Sequence, residues 1–360
     1  MTKILHVISG LGLGGAETML VRLAIGLRER GHPQHVVSLN GCGALAGVLE
    51  RGGVPVTDLG LGSAMGGIDG LMRLRRVIEA TAPDLMQGWM YHGNLAATAA
   101  HFVTGHRAKR NLYWNLRASN MDSGRYGSII RWNARLSWLA DGIVVNSQAG
   151  AAFHIDQGFD AQRFAVILNG IDTDKFRPDV SARSALRDAQ GISQDTVLVI
   201  HVARVDPMKD HETFLQAMAS RPNIRAILVG ADTERLILPK NVCAFGMRTD
   251  PEKIYPAGDI VLSSSAFGEG FSNTLAEGMS AGLVPIGTDV GDTRTIVGAV
   301  GKVVPPRDVA VFSCALDEIA ELEPNRRRQL GLDARRRIVD NFSIERAIDN
   351  YERLYLRGAD

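Results

Sequence analysis

The chain has 360 residues, 45% of them hydrophobic and 22% charged, a folded-protein composition too long for one comfortable hydrophobic core. Lys and Arg number 40 against 39 Asp and Glu, which excludes a globally basic nucleic-acid binder and a long acidic tail. Beneath that balance, residues 1–165 carry 16 Lys/Arg and 11 Asp/Glu and the remainder 24 and 28, so the N-terminal half suits an anionic partner.

In chain order, Ile4–Ile8 reads as a buried strand and Ala16–Arg30 as a helix, with Met19, Leu20, Leu23 and Leu27 on one face and Gly31 as its stop. Strand-like runs follow at His35–Leu39, Val54–Leu59, Leu85–Trp89, Leu112–Leu116 and Gly142–Asn146, with helical patterns between them. A second cycle begins at Thr196–Ala203 and continues through Ala226–Gly230, Val242–Phe245, Ile260–Ser263 and Leu283–Gly287. The last helix, Ile344–Leu356, follows a basic one containing Arg326–Arg328 and Arg335–Arg337. Short apolar strands alternating with amphipathic helices predict an α/β protein with parallel sheets covered on both faces. The polar stretch from Asn169 to Gln194 is the expected hinge between domains 1–168 and 169–341, with the final helix, about 342–360, expected to return to the first domain. Two doubly wound domains facing one another are expected to leave an interdomain cleft at the carboxyl ends of their strands, where such sheets bind ligands.

Cys42, Cys243 and Cys314 are far apart and form no Cys-x-x-Cys, so neither a disulfide framework nor a zinc site is expected. The apolar N-terminal run is too short for a secretory signal, and no run of about 18 apolar residues occurs. These readings predict a cytoplasmic protein.

Motifs at strand ends carry the chemistry. Ser9-Gly10-Leu11-Gly12-Leu13-Gly14-Gly15-Ala16-Glu17 joins the first strand to the first helix, where glycines allow close backbone approach and a helix start offers N–H groups to an anion. A tight turn with no ligand accounts for the same residues. Gly10, Gly12 and Gly15 also fit a dinucleotide pattern, but the second strand ends Ser38-Leu39-Asn40 without the carboxylate that a nicotinamide cofactor needs. After Thr196–Ala203 come Arg204 and Lys209, two cations that suit a diphosphate or, alternatively, a solvated loop. After Ile260–Ser263 comes Phe267-Gly268-Glu269-Gly270-Phe271-Ser272-Asn273-Thr274-Leu275-Ala276-Glu277. Ser272 is a natural N-cap for a helix over Asn273–Ala281, which leaves Glu269 ahead of the helix and Glu277 on it. Two such carboxylates suit two sets of hydroxyls, as on a sugar and a ribose. His92 ends the run Trp89-Met90-Tyr91-His92 at another strand terminus.

Taken together these residues resemble the retaining glycosyltransferases of family 4, which have the GT-B architecture of two facing Rossmann-like domains. Glu269 and Glu277 have that family's E-x7-E spacing, followed by Val290-Gly291-Asp292-Thr293-Arg294. His201-Val202-Ala203-Arg204 with Lys209 is similar to its diphosphate clamp, and Asn169-Gly170-Ile171-Asp172 to its domain junction. Gly14, Gly15 and Glu17 match its glycine loop, and His92 its active-site histidine. One departure is Thr295, where members commonly carry an acidic residue.

The resemblance implies transfer of a sugar, with retention, from a nucleoside diphosphate sugar, UDP being the family's usual nucleotide. It makes the first domain the acceptor-binding domain and the second the nucleotide-sugar-binding domain. Arg204 and Lys209 would stabilise the diphosphate, aided by Gly14, Gly15 and the backbone of Gly270, Phe271, Ser272, Asn273 and Thr274. Glu269 would hold the sugar, Glu277 the ribose, and His92 the transferred sugar as charge develops. The backbone near Met247 is a candidate for contacting the base. No cofactor or metal is expected; Asp172-Thr173-Asp174 imitates a metal motif but lies in the hinge. The expected acceptor is a glycan or lipid-linked glycan in cell-surface polysaccharide synthesis. The stretch Arg107, Lys109, Arg110, Arg117, Arg125, Arg131, Trp132, Arg135 and Trp138 suits an anionic membrane surface; core-buried tryptophans on a solvated helix are the alternative. A sugar-nucleotide epimerase and a non-catalytic nucleotide-sugar binder remain alternatives, and no nucleic-acid partner is expected.

Overall fold

The computed structural model describes every residue except 13, 63–66, 105–109, 118–122 and 358–360, and side chains for the rest other than 123–125 and 357. The chain divides into two compact units, Met1–Gly170 with Ile344–Asp360, and Ile171–Ser343.

The first unit holds strands β1 (Ile4–Ile8), β2 (Gln34–Ser38), β3 (Val56–Asp58), β4 (Leu85–Trp89), β5 (Asn111–Leu116), β6 (Gly142–Val145) and β7 (Phe164–Val166). They form one parallel sheet in the order β3-β2-β1-β4-β5-β6-β7, with Ile4 opposite both Gln34 and Leu85. The central strands are buried along their length, so their near-continuous apolar character follows from helices on both faces. Helix Gly15–Glu29 turns Leu20, Leu23, Ala24 and Leu27 into one core cluster, spaced as one helical face requires.

The last helix, Ile344–Arg357, adds Ile348, Tyr351 and Tyr355 to that same cluster. Gly26 permits this: a side chain there would meet Ile348 Cδ1 at 2.3 Å. Polar anchors secure it, since Asn115 Nδ2 donates to Tyr351 Oη (2.7 Å) and Tyr355 donates to Gln87 Oε1 (2.5 Å). Arg30 and His32 both bond Glu352, whose carboxyl these donors hold below its ordinary range.

The second unit holds β8 (Leu198–Val202), β9 (Arg225–Val229), β10 (Val242–Ala244), β11 (Ile260–Ser263), β12 (Val284–Thr288) and β13 (Lys302–Val304), again all parallel, in the order β10-β9-β8-β11-β12-β13. In each unit the strand order reverses beside its first strand, between β1 and β4 and between β8 and β11. Those switch points are where open parallel sheets accept ligands.

Two strands escape sequence reading, β7 and β13. Each is three residues long, half-buried and at a sheet edge, so neither shows a sustained apolar run. The units part at Gly170 and Ile171, inside the expected hinge, and much of the rest of that stretch folds into the second unit as helix Val180–Ala189. That helix is held by Arg187, fully buried and bonded to Asp259 and the carbonyls of Ala257, Ser193 and Thr196. An anchor made by a guanidinium leaves no hydrophobic periodicity to read.

Candidate active site

In the second unit, the loop after β8 is shaped by two aspartates. Asp206 accepts from Met208 N (2.9 Å), capping the turn Pro207–Lys209, and its other oxygen takes Arg204 Nη2 at 3.0 Å. Asp210, in the left-handed region at φ 45°, caps the following helix His211–Ala219 by accepting from Thr213 N. Lys209, caught between the two caps, extends its ammonium to Oε1 of Glu269. Lys209 is 18% exposed and Glu269 11%, whereas Arg204 is 64% exposed. The structure therefore joins Lys209 and Glu269 and leaves Arg204 at the surface with Asp206.

The end of β11 holds this arrangement from below. Ser264 Oγ donates to the carbonyl of Lys209 (2.8 Å), Ala266 N donates to the carbonyl of Met208 (2.8 Å), and Ser265 Oγ donates to Glu269 Oε1 (2.6 Å). With its hydroxyl hydrogen directed at the Lys209 carbonyl, the Ser264 oxygen accepts from Nε2–H of His201 (3.1 Å). His201 is fully buried and stacks on Phe214 with ring centroids 4.7 Å apart; burial holds its pKa well below the ordinary histidine value, so the ring is neutral. Sequence reading missed Ser264 and Ser265. A serine at a strand end carries no signal until its acceptor is known.

The Glu269 turn is stitched to the loop after β12. Gly268 has φ 78°, and Asp292 N donates to the carbonyl of Gly270 (2.9 Å). Gly291, at φ 61°, lies so close that a Cβ would stand 2.3 Å from the carbonyl oxygen of Glu269. Helix Asn273–Ser280 follows, and Gly278 lets it rest on Val261, 2.4 Å from where its Cβ would be. Ser272 occupies the N-cap position but, contrary to expectation, its hydroxyl accepts no bond from the first turn. Phe271 is buried against Phe342, with centroids 5.7 Å apart, while Asn273 and Thr274 are half-buried. Glu277 is half-buried, and Tyr255 donates to it across 3.4 Å. Met247 is 70% exposed beyond β10, next to Gly246, whose carbonyl accepts from Gly230 N.

In the first unit, Gly14 is the N-cap residue of helix Gly15–Glu29, with no side chain to cap it. A Cβ on Gly14 would stand 2.2 Å from Glu17 Oε2, so this chain's own carboxylate folds over the helix start where the sequence suggested an anion. His92 lies in the first turn of helix Met90–Val103, after Met90 at φ 60°. It is exposed, and partial burial still lowers its pKa from the ordinary value. Its neighbours are anchored: Tyr91 donates to His154 Nε2 (2.9 Å), and a Cβ on Gly93 would lie 2.4 Å from the carbonyl of Val7.

Of the basic stretch, Arg107 and Lys109 and the side chain of Arg125 lie outside the described residues. Arg110 bonds Thr104 Oγ1, and Arg117 packs over Trp89 at 5.7 Å. Trp132 and Trp138 are 56% and 59% exposed, which removes the alternative that they are core residues. Arg135 lies over the Trp132 ring at 5.7 Å, and Arg131 is exposed beside them.

Residues 13–175 match Glycosyltransferase Family 4, and residues 182–337 match Glycosyl transferases group 1. The chain is 27% identical over 248 residues to D-inositol 3-phosphate glycosyltransferase of Geodermatophilus obscurus, covering 61% of this chain and 53% of that protein. It is 28% identical over 238 residues to the Mycobacterium tuberculosis protein of the same name, covering 61% and 49%. The chain thus spans about half the length of the curated relatives it matches. Among solved structures, Anabaena HepE in complex with UDP superposes with a TM-score of 0.84 at 23% identity, over 99% of this chain and 100% of that one. A glycosyltransferase from Rickettsia africae gives 0.85 at 15% identity, over 98% of each. The fold is GT-B, and the chain belongs to the family 4 glycosyltransferases, its N-terminal part being the Glycosyltransferase Family 4 region and its C-terminal part the Glycosyl transferases group 1 region.

Proposed function

We propose that this protein moves a sugar from a nucleoside diphosphate sugar, with UDP as the nucleotide, to a hydroxyl of a glycan or lipid-linked acceptor, retaining the anomeric configuration without a metal ion. The observation that carries the reading is the Lys209–Glu269 pair at the carboxyl ends of β8 and β11, on the switch point of the second sheet. A cation for a diphosphate there adjoins a carboxylate for sugar hydroxyls. HepE structures with UDP and with UDP-glucose support the choice of nucleotide.

In this reading the bond from the anomeric carbon to the diphosphate breaks, and its electron pair leaves with the phosphate oxygen. Lys209, Arg204 and the N–H groups at the start of helix Asn273–Ser280 stabilise that charge. The acceptor oxygen attacks the same face, and its proton passes to the departing diphosphate. Glu269 holds the sugar and Glu277 the ribose; the family resemblance gives His92 a contact with the transferred sugar. Arg131, Trp132, Arg135 and Trp138 form an exposed cationic and aromatic face that suits an anionic membrane surface. That face supports peripheral attachment on the inner side of the membrane and a part in cell-surface polysaccharide synthesis.

The test is a thermal-shift screen of UDP-, GDP- and ADP-sugars, followed by transfer assays on the sugar that binds. A UDP-sugar is expected to stabilise the protein and to yield UDP and an α-linked product by NMR. Absence of both stabilisation and UDP release overturns the reading. For the membrane surface, co-flotation with anionic but not zwitterionic liposomes is expected; no co-flotation removes it.

A further inference from the structure

We propose that Ser265 is a positioning residue that keeps Glu269 in place once the diphosphate has drawn Lys209 away; this rests on the function proposed above.

Glu269 Oε1 has two donors, the ammonium of Lys209 and the hydroxyl of Ser265 at 2.6 Å, and no hydrogen bond joins Oε2 to a described residue. The two donors respond differently to a ligand. A diphosphate competes with a single carboxylate for an ammonium and favours it strongly, because it offers more charge and more acceptor oxygens. Lys209 has the freedom of a flexible stem to follow it. Ser265 has not. It is 1% exposed, its carbonyl accepts from Thr288 Oγ1 at 2.6 Å, and its hydroxyl is neutral. It therefore keeps its bond to Oε1 when Lys209 turns to phosphate, and Oε2 stays presented to a sugar hydroxyl.

The adjacent residue completes the device. Ser264, with its own donor His201, pins the Lys209 main chain rather than its side chain, so the ammonium is free to move while its base is not. Two consecutive serines on β11's end thus hold the carboxylate and the root of the cation. Without Ser265, Glu269 loses its only neutral donor among the described residues at the moment it is needed, and it swings toward the nearest cation or solvent.

The test uses the full chain and two ligands, UDP and whichever of UDP-glucose, UDP-galactose and UDP-N-acetylglucosamine stabilises it most. Wild type is expected to bind the UDP-sugar more tightly than UDP. In Ser265→Ala the UDP affinity is expected to stay within twofold, while the extra affinity from the sugar falls about tenfold, the scale of one hydrogen bond to a charged group. In a Glu269→Ala background, Ser265→Ala is expected to change UDP-sugar affinity no further, because it acts only through the carboxylate. If Ser265→Ala keeps the wild-type preference for the sugar, or weakens UDP and UDP-sugar equally, the proposal falls and the functional reading stands. If wild type binds no nucleoside diphosphate or its sugar, both fall.

Discussion

The ammonium of Lys209 is bonded to the carboxylate of Glu269, 60 residues on in the chain, because the loops that carry them follow β8 and β11, which lie side by side. Each charge neutralises the other in a largely sheltered position. Arg204, five residues before Lys209, finds its counter-ion two residues away and at the surface.

That contrast separates stability from catalysis. Lys209→Met leaves Glu269 with its Ser265 bond but without its counter-ion, and is expected to cost about 1.5–3 kcal/mol of stability, the scale of one hydrogen bond to a charged group. Arg204→Ala breaks only an exposed pair and is expected to cost no more than about 1 kcal/mol. Both are expected to lower transfer from the UDP-sugar by about 100–1000-fold, as when one donor to a developing anion is removed. Urea denaturation beside initial rates measures both; full activity in folded Arg204→Ala would contradict the assignment.

Gly291 is where the backbone itself constrains the site. Gly291→Ala places a methyl 2.3 Å from the Glu269 carbonyl and forces φ 61° on a residue with a Cβ. The strain is expected to cost at least about 1–2 kcal/mol and to displace Glu269. Melting temperature and UDP-sugar affinity are expected to fall together; an unchanged variant would show the close approach to be dispensable.

Two buried histidines in the first unit set an acid limit. His6 accepts from Trp89 Nε1 and donates to Gln34, while His154 donates to the Gly150 carbonyl and accepts from Tyr91. Burial pushes both pKa values down to about 4. In the unfolded chain they titrate near 6.5, so between pH 6.5 and 4 the unfolded state binds protons that the folded state refuses. Stability is then full above pH 6.5 and falls as the pH drops through that window, by about 3 kcal/mol per histidine. Urea midpoints from pH 8 to 4.5 measure it, and a flat profile would refute it.

The last helix supplies a fourth test. Tyr351→Phe removes the acceptor of Asn115 Nδ2 and a partner of Arg117 Nη1, both inside the first unit. The expected loss is about 1–3 kcal/mol, read from denaturant midpoints. A variant as stable as wild type would mean that other groups replace the hydroxyl.

Much of the fold was legible because it is written locally. Ile4–Ile8, Leu85–Trp89 and Ile260–Ser263 are runs of buried side chains, and each coincides with the observed strand. Glycine-rich turns after strands were legible at Gly14, which starts helix Gly15–Glu29, and at Gly268, which turns at φ 78°. The edge strands β7 and β13 and the Arg187-anchored helix were not legible, since their partners supply what their own residues lack. At the site, the residue types were readable, but which of them touch was not. Arg204 and Lys209 look equivalent as loop cations, yet one is exposed and the other is paired.

The order of residues by itself determined the alternation of strand and helix, and which strand ends carry glycine, cation and carboxylate. Both are properties of short stretches, set by side-chain period and backbone freedom. Only the tertiary structure decided that Ser265 and Lys209 share one oxygen of Glu269, that Glu17 folds over Gly14, and that Trp132 and Trp138 stand outside. Those outcomes depend on strand order and on which helix faces are already covered, and no local pattern encodes either.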